Sequence, residues 1–338
     1  MITVMQSTSA PDGTTKYVDQ LLHEQPSDLR FLFFSWDAAL KADYDVFHVH
    51  WPDALLTGSS APRRWLNRIR FARLLRRLKA HGIPIVRTLH NVHPHEGASA
   101  IDRRLLQRLD AQTAFFVRIN RVTELPAGRP GATILHGHYV DRFGAHPRAE
   151  MLSSRVLNFG LMRRYKGVDR LIDVFEEWND SAASLRLVGR VVEADLGRTI
   201  LEAVDRDPRI TAILRFVDDD ELVQEVTAAE IVVLPYSEMH NSGTLLVTLS
   251  LGRPALVPRS EVNEAIAQEV GPGWVLQYDG SLELEHIQAA LLAARARSAG
   301  APDLAERDWK RVTDAYSDVF RDVVSADRRL ADSAHRAG

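Results

Sequence analysis

The sequence predicts an α/β protein of two halves, each a parallel sheet covered by helices. Three observations predict it. Short apolar runs alternate with longer amphipathic segments along the whole chain, the pattern of βα units. The length, 338 residues, exceeds one ordinary core and suits two domains of about 150 residues. Between the two series of runs lies "FGAHPRAEMLSS" (143–154), which has no periodicity and carries Gly, Pro and Ser, as a linker does.

In the first half the strands fall at "MITVM", "LRFLFF", "VFHVH", "PIVRTLH", "AFFVRI" and "ATILH", with helices near 14–24, 62–80 and 101–109. In the second they fall at "RVLNFG", "SLRLVG", "ILRFV", "EIVVLPY", "PALVP" and "GWVLQY". Helices fit "VDRLIDVFEEWND", "LGRTILEAVDRD", "DELVQEVTAA", "GTLLVTLSLG" and "LELEHIQAALLAARARS". An amphipathic stretch, "DLAERDWKRVTDAYSDVFRDVV", closes the chain. The expected organisation is a first domain over 1–148, a second over 149–308 and a terminal helix over 309–338. In open α/β sheets ligands bind beyond the carboxyl ends of the strands, so chemistry is expected in the loops that follow strands.

Composition removes several classes. Hydrophobic residues at 45% and charged residues at 26% are those of a globular protein with a sizeable core. The absence of cysteine excludes disulfides and thiolate metal sites and suits a reducing compartment. "MITVMQSTSAPDG" turns polar too soon for a secretory signal, and no run approaches the roughly 20 apolar residues of a membrane span. The expected location is cytoplasmic.

The net charge of −3 hides an asymmetry. No acidic residue lies between Asp53 and Glu96, whereas Arg63, Arg64, Arg68, Arg70, Arg73, Arg76, Arg77, Lys79 and Arg87 do. A solvated basic helix face is the simple reading. The alternative is an anionic membrane surface met by Arg63 to Lys79, since Trp65 and several leucines interleave with the charge. That would make the protein peripheral at the inner face of the membrane. Nucleic acid is not expected, because no recognised binding motif accompanies the charge.

"FGLMRRYKGVDRLIDVF" (159–175) is a strand, a glycine turn, a basic cluster and a helix. Arg163, Arg164 and Lys166 there suit a diphosphate. "LPYSEMHNSGTLLVTLSLGRPALVP" (234–258) ends a strand and opens an apolar helix at Asn241, Ser242, Gly243 and Thr244. Exposed N–H groups and the helix dipole at such a start attract an anion, and Gly243 permits close approach. Two anion-favouring elements in one half point to a phosphate-bearing ligand.

Those two segments, with "LRLVG" and "AAEIVVLPYSE", resemble the donor domain of GT-B glycosyltransferases, which use nucleotide-diphosphate sugars. "YDVFHVHWPD", "PIVRTLHN" and "ATILHGHYVDRF" resemble strand ends of the acceptor domain, and the segment with Trp309 and Tyr316 resembles the helix that crosses back to it. The resemblance implies two Rossmann-like domains facing across a cleft. It also implies a nucleotide-sugar donor, a glycan or polyprenyl-linked acceptor, and neither metal nor other cofactor. Lys166 and Gly167 match the family's Lys-Gly, whose lysine contacts the donor diphosphate. Gly189 and Glu238 join the implied donor set, as does His90 near the donor sugar.

The match has departures. The usual arginine after the first glycine falls on Leu161, and the second glutamate of retaining members falls on Val247, with Glu238 one residue from the first. The incomplete retaining signature favours inversion, and the pattern is similar to exopolysaccharide-assembly transferases, including β-mannosyltransferases of the xanthan type that use GDP-mannose.

"LHNVHPHE" (89–96) carries the remaining chemistry. Its histidines with those of "VFHVH" and "ILHGH" could form a metallohydrolase site, but no helical His-Glu-x-x-His spacing is present. His48 and His136 are expected as buried, hydrogen-bonded residues at strand ends. In a transferase, an acceptor hydroxyl needs a base within about 3 Å. Glu96, His93 and Asp53 are the candidates, with Asp12 a fourth. Asp12, Gly13, His50 and His138 line the acceptor side. Two other readings share the fold: a nucleotide-sugar binder without activity, and a sugar-nucleotide epimerase. A dehydrogenase is disfavoured, as no strand leads into Gly-x-Gly-x-x-Gly.

Overall fold

The computed structural model describes residues 1–11, 16–22, 26–90, 99–237, 239, 241–297 and 299–336. The chain divides into two compact units, residues 1–137 with 306–338, and residues 138–305.

Unit 1 runs β1 (Ile2–Gln6), α1 (Lys16–Leu21), β2 (Leu29–Leu32), α2 (Trp36–Lys41), β3 (Val46–Val49), α3 (Ala61–Ala80), β4 (Ile85–Leu89), α4 (Ala100–Gln112), β5 (Thr113–Arg118) and β6 (Gly131–Thr133). Its strands pair in parallel in the order β2-β1-β3-β4-β5-β6. Strand residues alternate between two cores. Val4, Val46, Val86 and Val117 pack on one face, Met5, Phe47, Val49 and Ile85 on the other. Every residue of β3 is buried, so it reads as an unbroken apolar run rather than an alternating one.

Ser60 caps α3 and Pro62 occupies its first turn, where a missing N–H costs nothing. Phe71, Leu74, Leu75 and Leu78, spaced i, i+3, i+4 and i+7, bury the later turns against the sheet. Each contributes roughly 2 kcal/mol. The opening turn contributes no core residue: Trp65 is 62% exposed and Leu66 40%.

Unit 2 runs α5 (Val140–Phe143), β7 (Arg155–Phe159), α6 (Val168–Glu176), β8 (Ser184–Val188), α7 (Ala194–Arg206), β9 (Ile210–Ile213), α8 (Asp219–Ala228), β10 (Ile231–Val233), α9 (Gly243–Ser250), β11 (Ala255–Pro258), α10 (Glu261–Val270), β12 (Val275–Tyr278) and α11 (Leu284–Ala296). Its parallel order is β12-β11-β10-β7-β8-β9. Successive strands leave β7 first towards β8 and β9, then cross back to β10. That reversal places a ligand crevice between the carboxyl ends of β7 and β10. In unit 1 the corresponding reversal lies between β1 and β3. The last helix, α12 (Trp309–Arg336), returns to unit 1, where Trp309, Val312, Tyr316 and Phe320 join the β1–β3–β4 core.

Three expectations are corrected. The strand placed at "ILRFV" (213–217) is instead β9, because pairing with β8 begins at Leu185↔Ile210 and Phe216 is 60% exposed. α10 was not anticipated, although Ser260 caps it and Val262, Ile266 and Val270 repeat every fourth residue onto the core. Nor was α2, which Ser35 caps through Ala38 N–H.

Candidate functional site

The crevice of unit 2 is shaped first by three glycines. Gly189 closes β8 at φ 141°, and a Cβ there would fall 1.9 Å from the Gly160 carbonyl oxygen. Gly160 closes β7 at φ 108°. Gly167 turns at φ 64° into α6, and a Cβ on it would fall 2.3 Å from the Pro235 carbonyl oxygen, beyond β10. No side chain fits those contacts, so the β7 and β10 loops touch backbone to backbone. Ser237 N–H and Oγ–H both donate to the Tyr165 carbonyl, at 2.8 and 3.1 Å, and tie the loops further.

This packing gathers the groups an anion needs. A Cβ on Gly160 would lie 3.4 Å from Thr244 Oγ1 and 4.0 Å from Lys166 Nζ, so glycine, hydroxyl and ammonium border one space. Lys166 Nζ sits 4.8 Å over the Tyr236 ring, held by the cation–π attraction. Ser242 caps α9, its Oγ accepting from Leu245 N–H at 3.2 Å. The remaining first-turn N–H groups of α9, with Gly243 unshielded by a side chain, carry the positive end of the helix dipole. The arrangement suits a diphosphate. Asn241 opens the same turn. Val247 is buried in α9 among Leu245, Leu246 and Leu249, with no carboxylate at that position.

The two arginines differ. Arg164 is ion-paired with Asp195 of α7, which raises the guanidinium pKa. Arg163, at the entry to the short 3-10 turn, is exposed. Beside the crevice a cleft of about 440 Å³ is lined by Arg164, Tyr165, Arg170, Tyr236, Arg259 and Tyr278. Glu238 lies outside the described residues. His138 is buried in unit 2, and its Nδ1 accepts from Val140 N–H at 3.2 Å.

In unit 1 the reversal between β1 and β3 collects a buried polar chain. His50 Nε2 lies 2.9 Å from Gln6 Oε1, and His50 Nδ1 lies 3.0 Å from His90 Nε2. Trp51 stacks on His90 at 4.2 Å, and Tyr17 meets His90 edge-on at 5.0 Å. A second chain runs His48 Nε2 to Thr88 Oγ1 to Tyr316 Oη to Tyr17 Oη, each step 2.9 Å. Burial pushes His50 down to about 3 and His136 to about 4, and holds His48 and His90 well below the usual histidine range. All four are therefore neutral at neutral pH. His136 donates through Nδ1 to the Gly137 carbonyl, 2.9 Å away.

Asp53 lies half-buried in a 3-10 turn after β3, and its charge opposes the burial that lowers Arg87 to about 10. His93, Glu96, Asp12 and Gly13 lie outside the described residues. Gln6, Trp51, Tyr17 and Tyr236 were not anticipated. Parallel register alone could have found Gln6, since it pairs with His48 across β1 and β3.

No protein-family model matches the chain. Two proteins of Xanthomonas campestris pv. campestris, each named GDP-mannose:glycolipid 4-beta-D-mannosyltransferase, are 43% identical over 329 residues, covering 96% of this chain and 94% of theirs. Among solved structures, Anabaena HepE in complex with UDP and glucose superposes with a TM-score of 0.61 at 11% identity, over 99% of this chain and 100% of its own. Sucrose-phosphate synthase from Thermosynechococcus elongatus gives 0.57 at 14%, over 99% of each chain. The structural likenesses carry the fold, and the sequence likeness carries the kinship: this chain belongs to the family of those mannosyltransferases, glycosyltransferases of the GT-B fold.

Proposed function

We propose that this glycosyltransferase moves mannose from GDP-mannose to a hydroxyl of a glycolipid, with inversion at the anomeric carbon. The observation that carries the reading is the 43% identity along 96% of the chain to proteins of that name. Their product is β-linked, while the mannose of GDP-mannose is α-linked, so the transfer inverts. The valine at 247, in place of the retaining glutamate, agrees with it.

In this reading the acceptor oxygen gives its proton to a base and attacks C1 of the sugar. The C1–oxygen bond to the diphosphate breaks and GDP leaves with the electron pair. Lys166 and the N–H groups opening α9 stabilise the charge that develops on the departing diphosphate. Arg163, Asn241, Ser242, Gly243 and Thr244 complete the donor set. The base is one of Glu96, His93 and Asp53. The positive charge on Lys166 and α9 fills the part a divalent cation would play, so the transfer runs without a resident metal.

Glycolipid acceptors lie in membranes, and unit 1 has a surface suited to one. Trp65 and Leu66 are exposed on α3 beside exposed Arg63 and Arg64, and Ile101 of α4 is 52% exposed. Arg68 bridges the helices, both of its contacts to Asp102 being 2.8 Å. Apolar side chains with surrounding guanidinium groups match the interface of an anionic bilayer.

A panel of nucleotide sugars read by thermal shift tests the donor. GDP-mannose should raise Tm; a shift with UDP-sugars alone would refute the assignment.

A further inference from the structure

Arg118 ends β5 and pairs across the ladder with Thr133, the last residue of β6. Beyond it Asn120 Oδ1 accepts from Val122 N–H and Thr123 N–H at 2.8 and 2.6 Å, which folds the chain into a tight turn. That turn presents the Thr123 carbonyl to the strand end, so Arg118 is pinned twice. Its Nε donates to Thr133 Oγ1 at 2.7 Å and its Nη1 to the Thr123 carbonyl at 3.0 Å, while Nη2 donates to nothing among the described residues. A cleft of about 470 Å³ opens there in unit 1, where the carboxyl ends of β5 and β6 meet the first turns of α12. Arg118, Arg121 and Arg311 line it. Its floor is apolar: Ile134, Leu135 and Val312 are buried, and Ala315 is half-buried beside them. The acid lining the cleft, Glu306, is ion-paired with Arg121. Arg311 has no acidic partner among the described residues, because Asp314 of the same helix is held by Lys310 at 2.7 Å.

We propose that this cleft binds a phosphorylated lipid by its phosphate and first carbons, and that unit 1 holds the anchor of the glycolipid acceptor in this way. Guanidinium groups around an apolar floor suit an anion joined to a hydrocarbon. A wholly polar anion would leave the floor in water, and a wholly apolar ligand would strip water from the arginines without replacing it. Three arginines against one glutamate leave an excess of positive charge that a phosphate ester matches, and the free Nη2 of Arg118 with the whole guanidinium of Arg311 supplies the donors. The place in the fold agrees. Strands β3, β4, β5 and β6 lie side by side, so the exposed Trp65 and Leu66 at the start of α3 share the carboxyl edge of the sheet with the cleft. The edge suited to a bilayer is thus the edge that carries the phosphate site. The acceptor's part rests on the glycosyltransferase reading; binding of a lipid phosphate does not.

The test is isothermal titration of the full chain with geranyl phosphate, geraniol and inorganic phosphate. Geranyl phosphate should bind at least roughly tenfold more tightly than either of the others, since each of them offers only half of the match. Arg311→Gln removes one charge-assisted contact from an exposed helix turn, and Ala315→Asp sets a carboxylate on the floor. Each should weaken geranyl phosphate roughly tenfold or more with Tm little changed. In transfer assays Arg311→Gln should raise KM for a phosphate-bearing glycolipid and leave KM for GDP-mannose where it was, and an acceptor without the phosphate should not feel the substitution. Inorganic phosphate or geraniol binding as tightly as geranyl phosphate would overturn the lipid assignment. Geranyl phosphate binding that neither variant moves would overturn its place in this cleft. The titrations need no turnover, so failure of transfer to every glycolipid would refute the enzymatic reading without moving them.

Discussion

Lys166 Nζ lies 4.8 Å over the ring of Tyr236, joining the loop after β7 to the loop after β10. The ring holds the ammonium where Gly160 leaves room and Thr244 offers a hydroxyl. Lys166→Ala should weaken nucleotide-sugar binding roughly ten- to a hundredfold, the range of a charge-assisted hydrogen bond. Tyr236→Leu should cost a few-fold, since only the support for the ammonium is lost. Isothermal titration with GDP-mannose checks both.

Gly167 and Gly189 should tolerate no side chain. Each combines a positive φ with a Cβ position inside a neighbouring carbonyl oxygen. Alanine at either should destabilise unit 2 by at least about 2 kcal/mol, in contrast to Gly252→Ala, where φ is 70° but nothing lies within 4 Å. Thermal unfolding of the three variants ranks them.

The buried histidines tie stability to pH. Their folded pKa values are depressed, so the unfolded chain binds more protons, and stability falls as pH drops below about 6.5. For His50 and His136 the loss continues to about 3 and 4, where the folded forms also protonate. In that window each contributes up to about 1.4 kcal/mol per pH unit. Urea unfolding at pH 7.5 and 5.5 should show the drop, with no matching gain above pH 7.5.

The exposed end of α3 should govern membrane attachment and little else. Trp65→Ala with Leu66→Ser should abolish sedimentation with anionic phospholipid vesicles. Tm should change by less than a few degrees, because neither side chain belongs to a buried core cluster, Trp65 being 62% exposed and Leu66 40%. Raising the salt concentration should weaken wild-type attachment.

How much of this was legible beforehand depends on distance along the chain. The strands stood out because parallel strands covered on both faces, such as Val46–Val49, are unbroken apolar runs. β9 slipped because "ITAILRFV" offers two overlapping apolar windows, and only pairing with Leu185 selects the first. α10 was hidden by polar residues between Val262, Ile266 and Val270, though its spacing and its serine cap were present. Lys166, Ser242 and Thr244 were legible because each sits in a local strand–turn–helix signal. The Gln6–His50–His90 line was not, since it joins residues 40 and more apart. It follows only from the neighbouring of β1, β3 and β4. The Tyr236 support for Lys166 was missed for the same reason.

The most direct test of the account is the product itself. Purified protein, GDP-mannose and a glycolipid bearing a free hydroxyl should yield free GDP and a mannosylated lipid, whose anomeric configuration is then read by NMR. The account predicts a β-linked mannose, formed without added metal and lost in Lys166→Ala at low donor concentration. An α-linked product, or GDP-mannose left intact under every acceptor condition, would contradict it.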